Sequence, residues 1–313
     1  MPPQLSSRSR TLNALSAISL VVAFRVSAAQ AQSTSPQVAV GPQYDTTHVY
    51  VAPSDLDPLV KSFVTTFGGS PSKPGVTNIS PVPSSTTFQA VTSPSGLLSV
   101  FAFQTPIPYP FGEERTGYLV TDMDAAINAA RAAGAEVIVA PFKDLIGIDA
   151  IIQWPGGVKM QLYWHFKQPA NPPLQTIPDN RVYVSPDSAD KFVSSFVAFA
   201  HATVVSDDNQ ADAGEIGRPG ETYRRIRITS HFGNMQVLVT DGHLPYPFGH
   251  ETTGYAVQDL GATLLKASAS GAKILSPLYS SASRNSAIVE FPGNYIAEIH
   301  SAIPPKSQDQ IAK

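Results

Sequence analysis

Side chains that could bind or activate a small molecule occur at alternate positions of short segments with strand character. His48 and Tyr50 are two residues apart in the first such segment, and Glu298 and His300 are two residues apart in the last. Because side chains alternate between the two faces of a strand, each pair is expected to share a face. Imidazole and carboxylate groups can ligate a metal or transfer a proton. These pairs are therefore the first candidates for a functional site.

A second set of polar residues points to the same kind of site. Gln161, Tyr163 and His165 also alternate along one segment and are expected to share a face. Arg115 and Arg181 cannot ligate a metal, because a guanidinium has five donors and no available lone pair. They would suit an anion or a carboxylate partner instead.

Glu114, His250 and Glu251 lie in loops just before predicted strands. Loop residues of this kind are expected to be solvated, with contact to a ligand as the alternative.

The composition limits the chemistry. The chain has 313 residues, no cysteine, a formal net charge of −3 and 14% charged residues. Without cysteine, disulfides, Cys-ligated zinc, iron–sulfur clusters and thiol nucleophiles are excluded. A nucleic-acid surface would need a basic patch, which this charge balance does not favour. The sequence thus predicts a small-molecule ligand as the partner, with no nucleic acid and no nucleotide cofactor, and leaves the oligomeric state open.

The first 31 residues have the pattern of a secretory signal peptide. Arg8 and Arg10 precede the short apolar stretch 12–24, and Ala29-Gln30-Ala31 forms a cleavage site of the A-x-A type. The apolar stretch is shorter than the roughly 20 residues that a membrane-spanning helix needs, and no later segment approaches that length. A periplasmic or secreted protein is therefore predicted. A disordered N-terminus is the alternative.

An internal repeat organises the rest of the chain. The segment 108–118, PYPFGEERTGY, recurs as PYPFGHETTGY at 245–255. Repeats of this length indicate two copies of one domain. The predicted organisation is a flexible segment at 32–45, a first domain at 46–166, a Pro-rich linker at 167–178, a second domain at 179–302 and a tail at 303–313.

Each copy contains a strand, a helix and further strands, and then the same order again. Apolar residues at helical spacing predict a helix near 54–67, and Asp122 is placed to cap a second helix that Gly134 ends. Strands outnumber helices, so the fold class predicted is α+β with curled mixed sheets. Strands are predicted at 47–52, 86–92, 97–103, 116–121, 136–140, 148–153 and 159–166.

The sequence resembles the glyoxalase, bleomycin-resistance and extradiol-dioxygenase superfamily, also called the vicinal oxygen chelate superfamily. The resemblance covers both repeats. It depends on the strand that ends at Asp122-Met123-Asp124 before an alanine-rich helix, on Gly134-Ala135 after that helix, and on the Pro155-Gly156 turn before the last strand. It implies that two βαβββ modules pair in each domain to form a cup, with a divalent metal at its base.

The resemblance also implies a function and a set of site residues. A metal of unknown identity would stabilise two neighbouring oxygens of a substrate in a lyase or isomerase that acts on a small carbonyl or hydroxy-ketone compound. The alternative is a metal-free protein of the bleomycin-resistance type that binds and sequesters a small molecule. The ligand positions fall on His48, Gln161 and Glu298, with Glu298 also as the catalytic base. Candidate substrate-binding residues are Tyr50, Arg115, Tyr163, Arg181 and His300.

Neither repeat alone contains the full ligand set of the family. Arg115 in the first repeat and Thr252 in the second stand where a second histidine is expected. If the repeats exchange modules, His48 and Glu298 share one cup and could hold a metal. Without exchange, Arg181 faces Glu298, Arg115 approaches His48, and both cups lack a metal. The sequence leaves both arrangements open.

Overall fold

A computed structural model describes residues 37–245, 250–276, 278–281 and 284–303 of the chain. The predicted signal peptide and nearly all of the C-terminal tail lie outside these residues. Of the helices in the described ranges, none has both the length and the apolar character to cross a membrane.

Two nine-stranded mixed sheets form the framework, and each is built from one repeat. In the first sheet the order is β2-β4-β5-β1-β6-β9-β8-β7, with β3 paired to β4. Its strands are β1 (Thr46–Val51), β2 (Ser70–Pro71), β3 (Gly75–Thr77), β4 (Thr86–Ser93), β5 (Gly96–Phe103), β6 (Thr116–Leu119), β7 (Glu136–Lys143), β8 (Gly147–Gln153) and β9 (Lys159–His165).

The second sheet repeats this plan in the order β11-β12-β13-β10-β14-β18-β17-β15, with β16 paired to β17. Its strands are β10 (Asp179–Val184), β11 (Thr203–Asp212), β12 (Thr222–Ser230), β13 (Gly233–Val239), β14 (Glu251–Ala256), β15 (Lys273–Ile274), β16 (Tyr279–Ser280), β17 (Arg284–Phe291) and β18 (Tyr295–Ala302). The α+β class and the curled mixed sheets predicted from the sequence are confirmed.

The sheet composition decides between the two arrangements that the sequence left open. β1 and β6 of the first repeat pair with each other, as do β10 and β14 of the second. No strand of one repeat enters the sheet of the other in the described residues. The modules are therefore not exchanged, and His48 on β1 lies in a different sheet from Glu298 on β18.

In the described residues one α-helix follows the first strand of each module: α1 (Leu56–Phe67), α2 (Met123–Ala132), α3 (Pro186–Ala200) and α4 (Leu260–Ala269). The Asp122 carboxylate accepts a hydrogen bond from the Ala125 amide at 2.7 Å, and Asp259 caps α4 in the same way. These caps satisfy amides that have no partner within the helix. Gly134 has a φ of 91°, a backbone conformation that side chains disfavour, and so it ends α2.

The hydrophobic core lies between the helix-bearing faces of the two sheets. One buried cluster joins residues of α1, β1, β14 and α4, and a second joins residues of α2, β9, α3 and β13. Phe63 and Phe192 are fully buried, one in each cluster. However, Phe63 packs on Tyr255 and Phe291, with ring centroids 5.4 and 5.9 Å away, so its main partners include the other repeat. Because the helices face inward, the opposite face of each sheet is free to form a cup.

The segment before β1 differs from its prediction. Residues 32–45 were predicted to be flexible, yet within the described part Val38 is fully buried in the second core cluster. The Thr121 amide donates to the Val38 carbonyl at 2.8 Å, and the Leu119 amide donates to Asp45 at 3.2 Å. Apolar burial and these hydrogen bonds together fix the segment beside β6.

Candidate functional site

The strand registers define four equivalent positions at the base of each cup. In the first sheet His48 pairs with Ser99, and Gly117 pairs with Gln161. Side chains that are paired across neighbouring parallel strands share a face. The base of the first cup therefore presents an imidazole, a hydroxyl, a glycine and an amide.

The second cup has a different set of residues at the same four positions. Arg181 pairs with Gln236, and Gly254 pairs with Glu298. The registers place Gly117 and Gly254 at these positions, and Arg115 and Thr252, which the resemblance puts at the second histidine, lie two residues before them.

A cavity of about 170 Å³ opens in the first cup. Polar groups line one part of its surface and apolar side chains line the rest. The polar residues are Thr46, His48, Thr77, Asp144, Asp149, Gln161, Tyr163 and His165, and the apolar residues are Ile79, Phe88, Phe101, Leu145 and Ile146. Lysine and arginine are absent from this lining. The cavity therefore combines an apolar wall with hydrogen-bonding groups that lack a cationic partner.

The imidazole of His48 has a close neighbour at each of its two ring nitrogens. It is 2% exposed, and its Nδ1 lies 3.6 Å from Oε1 of Glu114, which also accepts a hydrogen bond from the Tyr50 hydroxyl. Its Nε2 reaches over Gly117, where a Cβ would lie only 2.4 Å from that nitrogen. A side chain at position 117 would therefore displace the imidazole. This close approach explains why position 117 is a glycine.

Asp149 lies in the same cavity, on β8. It is 8% exposed and interacts with Gln161. Burial, with a smaller contribution from the neighbouring Asp144, raises the pKa of Asp149 from 3.8 to about 8. The carboxyl is therefore protonated at neutral pH and can donate a hydrogen bond.

The base of the second cup is filled by an ion network. Arg181 Nη1 lies 2.5 Å from Oε2 of Glu298, and Nη2 of Arg284 donates to both carboxylate oxygens at 2.5 and 2.6 Å. His300 Nδ1 lies 3.3 Å from Oε2. Burial alone would raise the pKa of Glu298, but Arg181 and then Arg284 outweigh it and hold that pKa well below its ordinary value. The Glu298 carboxylate is thus ionised, and its oxygens are bound by guanidinium groups.

The donor groups in the two cups do not match a tightly held divalent metal. Two guanidinium groups occupy the oxygens of Glu298, and a guanidinium cannot ligate. In the first cup the four base positions offer one imidazole and one neutral amide, whereas zinc and iron sites use three or four strong ligands. Within the described ranges no three His, Cys, Asp or Glu residues cluster as metal ligands would. We therefore assign no residue as a metal ligand.

The candidate residues from the sequence divide between the cups. His48, Gln161 and Tyr163 line the first cavity. Tyr50 and Arg115 lie beside it, because the Tyr50 hydroxyl is directed to Glu114 and the Arg115 guanidinium stacks 5.8 Å from the centroid of the Tyr50 ring.

Arg181, Glu298 and His300 all belong to the second cup. A metal held jointly by His48, Gln161 and Glu298 would need ligands from two different sheets. The predicted joint ligand set is therefore wrong, because the sheet topology separates its members. The pairing of Arg181 with Glu298 is the one expected for unexchanged modules.

Two of the loop residues differ from expectation. Glu114 is fully buried and Glu251 nearly so, whereas His250 is exposed as predicted. Glu251 accepts hydrogen bonds from Thr116 at 2.9 Å and Asn180 at 2.8 Å, which link the two repeats. Burial raises its pKa to about 7. These carboxyls were misjudged because the sequence does not show which loops become covered.

Sequence reasoning missed Asp149 and the aromatic wall formed by Phe88 and Phe101. A signal for Asp149 was present, since it is an isolated acidic residue in the apolar strand GIDAIIQ. Charged residues inside such strands are uncommon unless they are paired or functional.

Comparisons with known proteins support the fold. No protein-family model matches the sequence, and no curated protein matches it significantly. A triple mutant of 4-hydroxymandelate synthase from Streptomyces coelicolor aligns with a TM-score of 0.58 at 14% identity, over 84% of this chain and 93% of that chain. The Mn(II)-bound glyoxalase from Novosphingobium aromaticivorans aligns with a TM-score of 0.51 at 12% identity, over 84% and 83% of the two chains.

A third similar structure is a fusion of a xylose isomerase-like TIM barrel with 4-hydroxyphenylpyruvate dioxygenase. It aligns with a TM-score of 0.54 at 12% identity and covers 88% of this chain, which spans about half of the fusion protein. At these identities the likeness concerns the fold, and the resemblance predicted from the sequence is confirmed at that level. The chain shares its fold with these three solved structures.

Proposed function

We propose that the first cup binds a small, uncharged molecule that carries one aromatic or similarly apolar ring and an oxygen acceptor. The observation that supports this most directly is the contrast between the cups. In the first, polar groups share a cavity with an apolar wall, whereas in the second the base is an ion pair and the cavity, of about 560 Å³, is lined largely by charged residues. Pockets with an apolar lining and a few convergent polar groups are the usual ligand sites of proteins.

The size of the cavity limits the ligand. An apolar cavity of about 150 Å³ can hold benzene, and the first cup offers about 170 Å³. A single ring with a short substituent therefore fits. Leu145 and Ile146, which lie in the β7–β8 turn at the cavity, are 78% and 55% exposed. Such exposed apolar groups next to a pocket would be covered when a ligand binds.

The charge of the cavity favours an uncharged ligand. No lysine or arginine lines it, so a ligand carboxylate would be buried without a counterion, at a high cost in free energy. A carbonyl or hydroxyl oxygen can instead accept the proton of Asp149. This ligand class agrees with the carbonyl or hydroxy-ketone compounds inferred from the family resemblance.

The test is calorimetric and NMR titration of the full chain with 2-hydroxyacetophenone, with benzoate as the anionic comparator of similar ring size. Saturable binding of the ketone, with much weaker binding of benzoate, is expected. Ile146→Glu should abolish it, because a charge would enter the wall. Leu265→Glu is the matched control, since Leu265 is 74% exposed on α4 and does not line the cavity. Equal effects of the two substitutions, or no binding of either compound, would reject the proposal.

The second candidate function is the divalent-metal-dependent lyase or isomerase that the sequence suggested. Its support is the fold, since one structural neighbour is a Mn(II)-bound glyoxalase. The donor groups argue against it, because only two of the four residues at the base of the first cup, His48 and Gln161, are of types that ligate metals. Metal analysis of the purified protein distinguishes the two functions: one tightly held equivalent would favour the lyase.

A further inference from the structure

We propose that the second cup binds a small zwitterion, with Arg227 on its carboxylate and Asp208 on its ammonium group. This site goes beyond the function proposed for the first cup and does not depend on it. The cavity of the second cup is about 560 Å³, against about 170 Å³ in the first. The charged residues of its lining include Asp179, Asp212, Arg225 and Arg284. A charged ligand is therefore expected here, where the first cup suits an uncharged one.

The Arg227 guanidinium is a cation that has no partner. Arg227 is exposed in the cavity, and no side chain or carbonyl of the described residues accepts a hydrogen bond from it. Its neighbours on β12 differ in this respect. Arg225, two residues earlier on the same face, donates to Glu215 at 2.5 Å, and Arg224 on the opposite face binds two aspartates. Since a guanidinium presents its donors in a planar fork that fits a carboxylate, Arg227 can bind the carboxylate of a ligand.

Asp208 supplies the opposite charge on the neighbouring strand. β11 and β12 are antiparallel, and Asp208 lies opposite Arg225. Because residues opposite each other in such a pair share a face, Asp208 lies on the same face as Arg225 and Arg227. It is exposed, and its Oδ1 accepts a hydrogen bond from the Gln210 amide at 2.9 Å. In the described part of the chain Asp208 forms no ion pair, so it can bind an ammonium group.

The spacing of the two groups sets the length of the ligand. Arg227 and Asp208 are diagonal neighbours in the β11–β12 register, and such neighbours are about 7–8 Å apart. An extended peptide chain advances about 3.3–3.6 Å per residue, so the two ends of a dipeptide are about 7 Å apart. A zwitterion with that separation between its charges can bridge Arg227 and Asp208. In glycine the charges are too close together to do so.

The other charges of the cup favour a zwitterion over a simple anion or cation. Arg284 binds Glu298 at the base, and Arg225 binds Glu215 on the wall, so these groups largely neutralise one another. The aspartates of the lining would repel a ligand that is only an anion. A ligand that is only a cation would leave Arg227 without a partner. A zwitterion satisfies both kinds of group.

The test is calorimetric and NMR titration of the full chain with glycylglycine at low ionic strength, where exposed charges are screened least. N-acetylglycylglycine lacks the ammonium group, glycylglycinamide lacks the carboxylate, and glycine has both groups at a shorter spacing. Saturable binding of glycylglycine is expected. Each of the other compounds should bind about tenfold more weakly or worse, because hydrogen bonds between charged groups contribute on that scale.

The variants assign each charge of the ligand to one residue. Arg227→Gln should weaken the binding of glycylglycine about tenfold and leave that of glycylglycinamide unchanged, because the amide has no carboxylate to lose. Asp208→Asn should weaken glycylglycine by a similar factor and leave N-acetylglycylglycine unchanged. Arg131→Gln is the matched control and should equal the wild type, since Arg131 is exposed on α2 and does not line the cavity.

Several outcomes would overturn the inference. One is the absence of saturable glycylglycine binding, and another is equal binding of the capped and uncapped forms. A third is an equal effect of Arg227→Gln on glycylglycine and glycylglycinamide in protein that circular dichroism shows to be folded, because Arg227 would then not contact the carboxylate. Titration with 2-hydroxyacetophenone reports on the first cup separately. Arg227 and Asp208 belong to the second sheet, so their substitutions should leave that titration unchanged, and the two proposals can fail independently.

Discussion

The burial of the Asp149 carboxyl makes the stability of the protein depend on pH. Its folded pKa of about 8 lies above the ordinary value of 3.8 because the side chain is buried, with Asp144 as a second cause. The folded state therefore holds this proton more strongly than the unfolded state does. Stability is fully retained below the unfolded pKa and is lost as pH rises towards the folded pKa. Replacing Asp149 by asparagine removes the ionisable group and should remove that loss.

The magnitude follows from the two pKa values. One pKa unit corresponds to about 1.4 kcal/mol, so the burial of this carboxyl costs about 2 kcal/mol at pH 5, about 4 kcal/mol at pH 7 and about 6 kcal/mol above pH 8. Asparagine is nearly isosteric and can still donate a hydrogen bond to a ligand oxygen. Asp149→Asn should thus stabilise the protein by an amount that grows with pH up to about 8.

Urea denaturation at pH 5, 7 and 9 measures this difference. Asp57→Asn on α1 is the matched control, since Asp57 is exposed, and its effect should stay within about 0.5 kcal/mol at every pH. If Asp149→Asn were destabilising, or if its effect were equal at pH 5 and 9, the carboxyl would not be protonated in the folded state. The argument that Asp149 donates a hydrogen bond to a ligand in the first cup would then fail.

Four other predictions follow from the same structure. Phe63→Ala should cost about 3–5 kcal/mol in denaturant melts, because the ring is fully buried between the repeats; a cost below about 1 kcal/mol would contradict this packing. Arg181→Ala should cost about 3–5 kcal/mol, because it leaves Glu298 with a buried charge only partly compensated, and an unchanged melting temperature would argue against the pair. Metal analysis should find less than one tightly bound equivalent, and a full equivalent would reopen the lyase. Finally, if the first 31 residues are a signal peptide, N-terminal sequencing of exported protein should begin at Gln32, and a retained Met1 would refute export.

The sequence predicted the framework well because the signals that define it are local. The repeat of 108–118 at 245–255 and the helix cap at Asp122 depend on residues close together in the chain. Strand alternation separates Val49, which lies in the core with the helices, from His48, which lines the cavity of the first cup. The face on which a side chain lies follows from the two-residue period of a strand, and that period can be recognised in a single strand.

The features that the sequence did not predict depend on contacts between residues that are far apart in the chain. The register between β6 and β9 puts Gly117 beside Gln161, and no pattern within either strand indicates this pairing. Glu114 and Glu251 appear in polar loops, but each is buried by strands that are distant in sequence. Module exchange was undecided for the same reason, since both arrangements use the same local elements.

The difference between the two cups is a consequence of charge at equivalent positions. Where the first cup has His48 and Gln161, the second has the buried ion pair of Arg181 and Glu298, and its cavity of about 560 Å³ is lined largely by charged residues. Removing either residue of such a buried pair is strongly destabilising, because the other charge is left buried without its partner. The first cup shows the opposite balance, because Asp149 lowers stability at neutral pH and lacks a cationic partner among the cavity residues. A destabilising group that is kept in a cavity is typical of function rather than of folding.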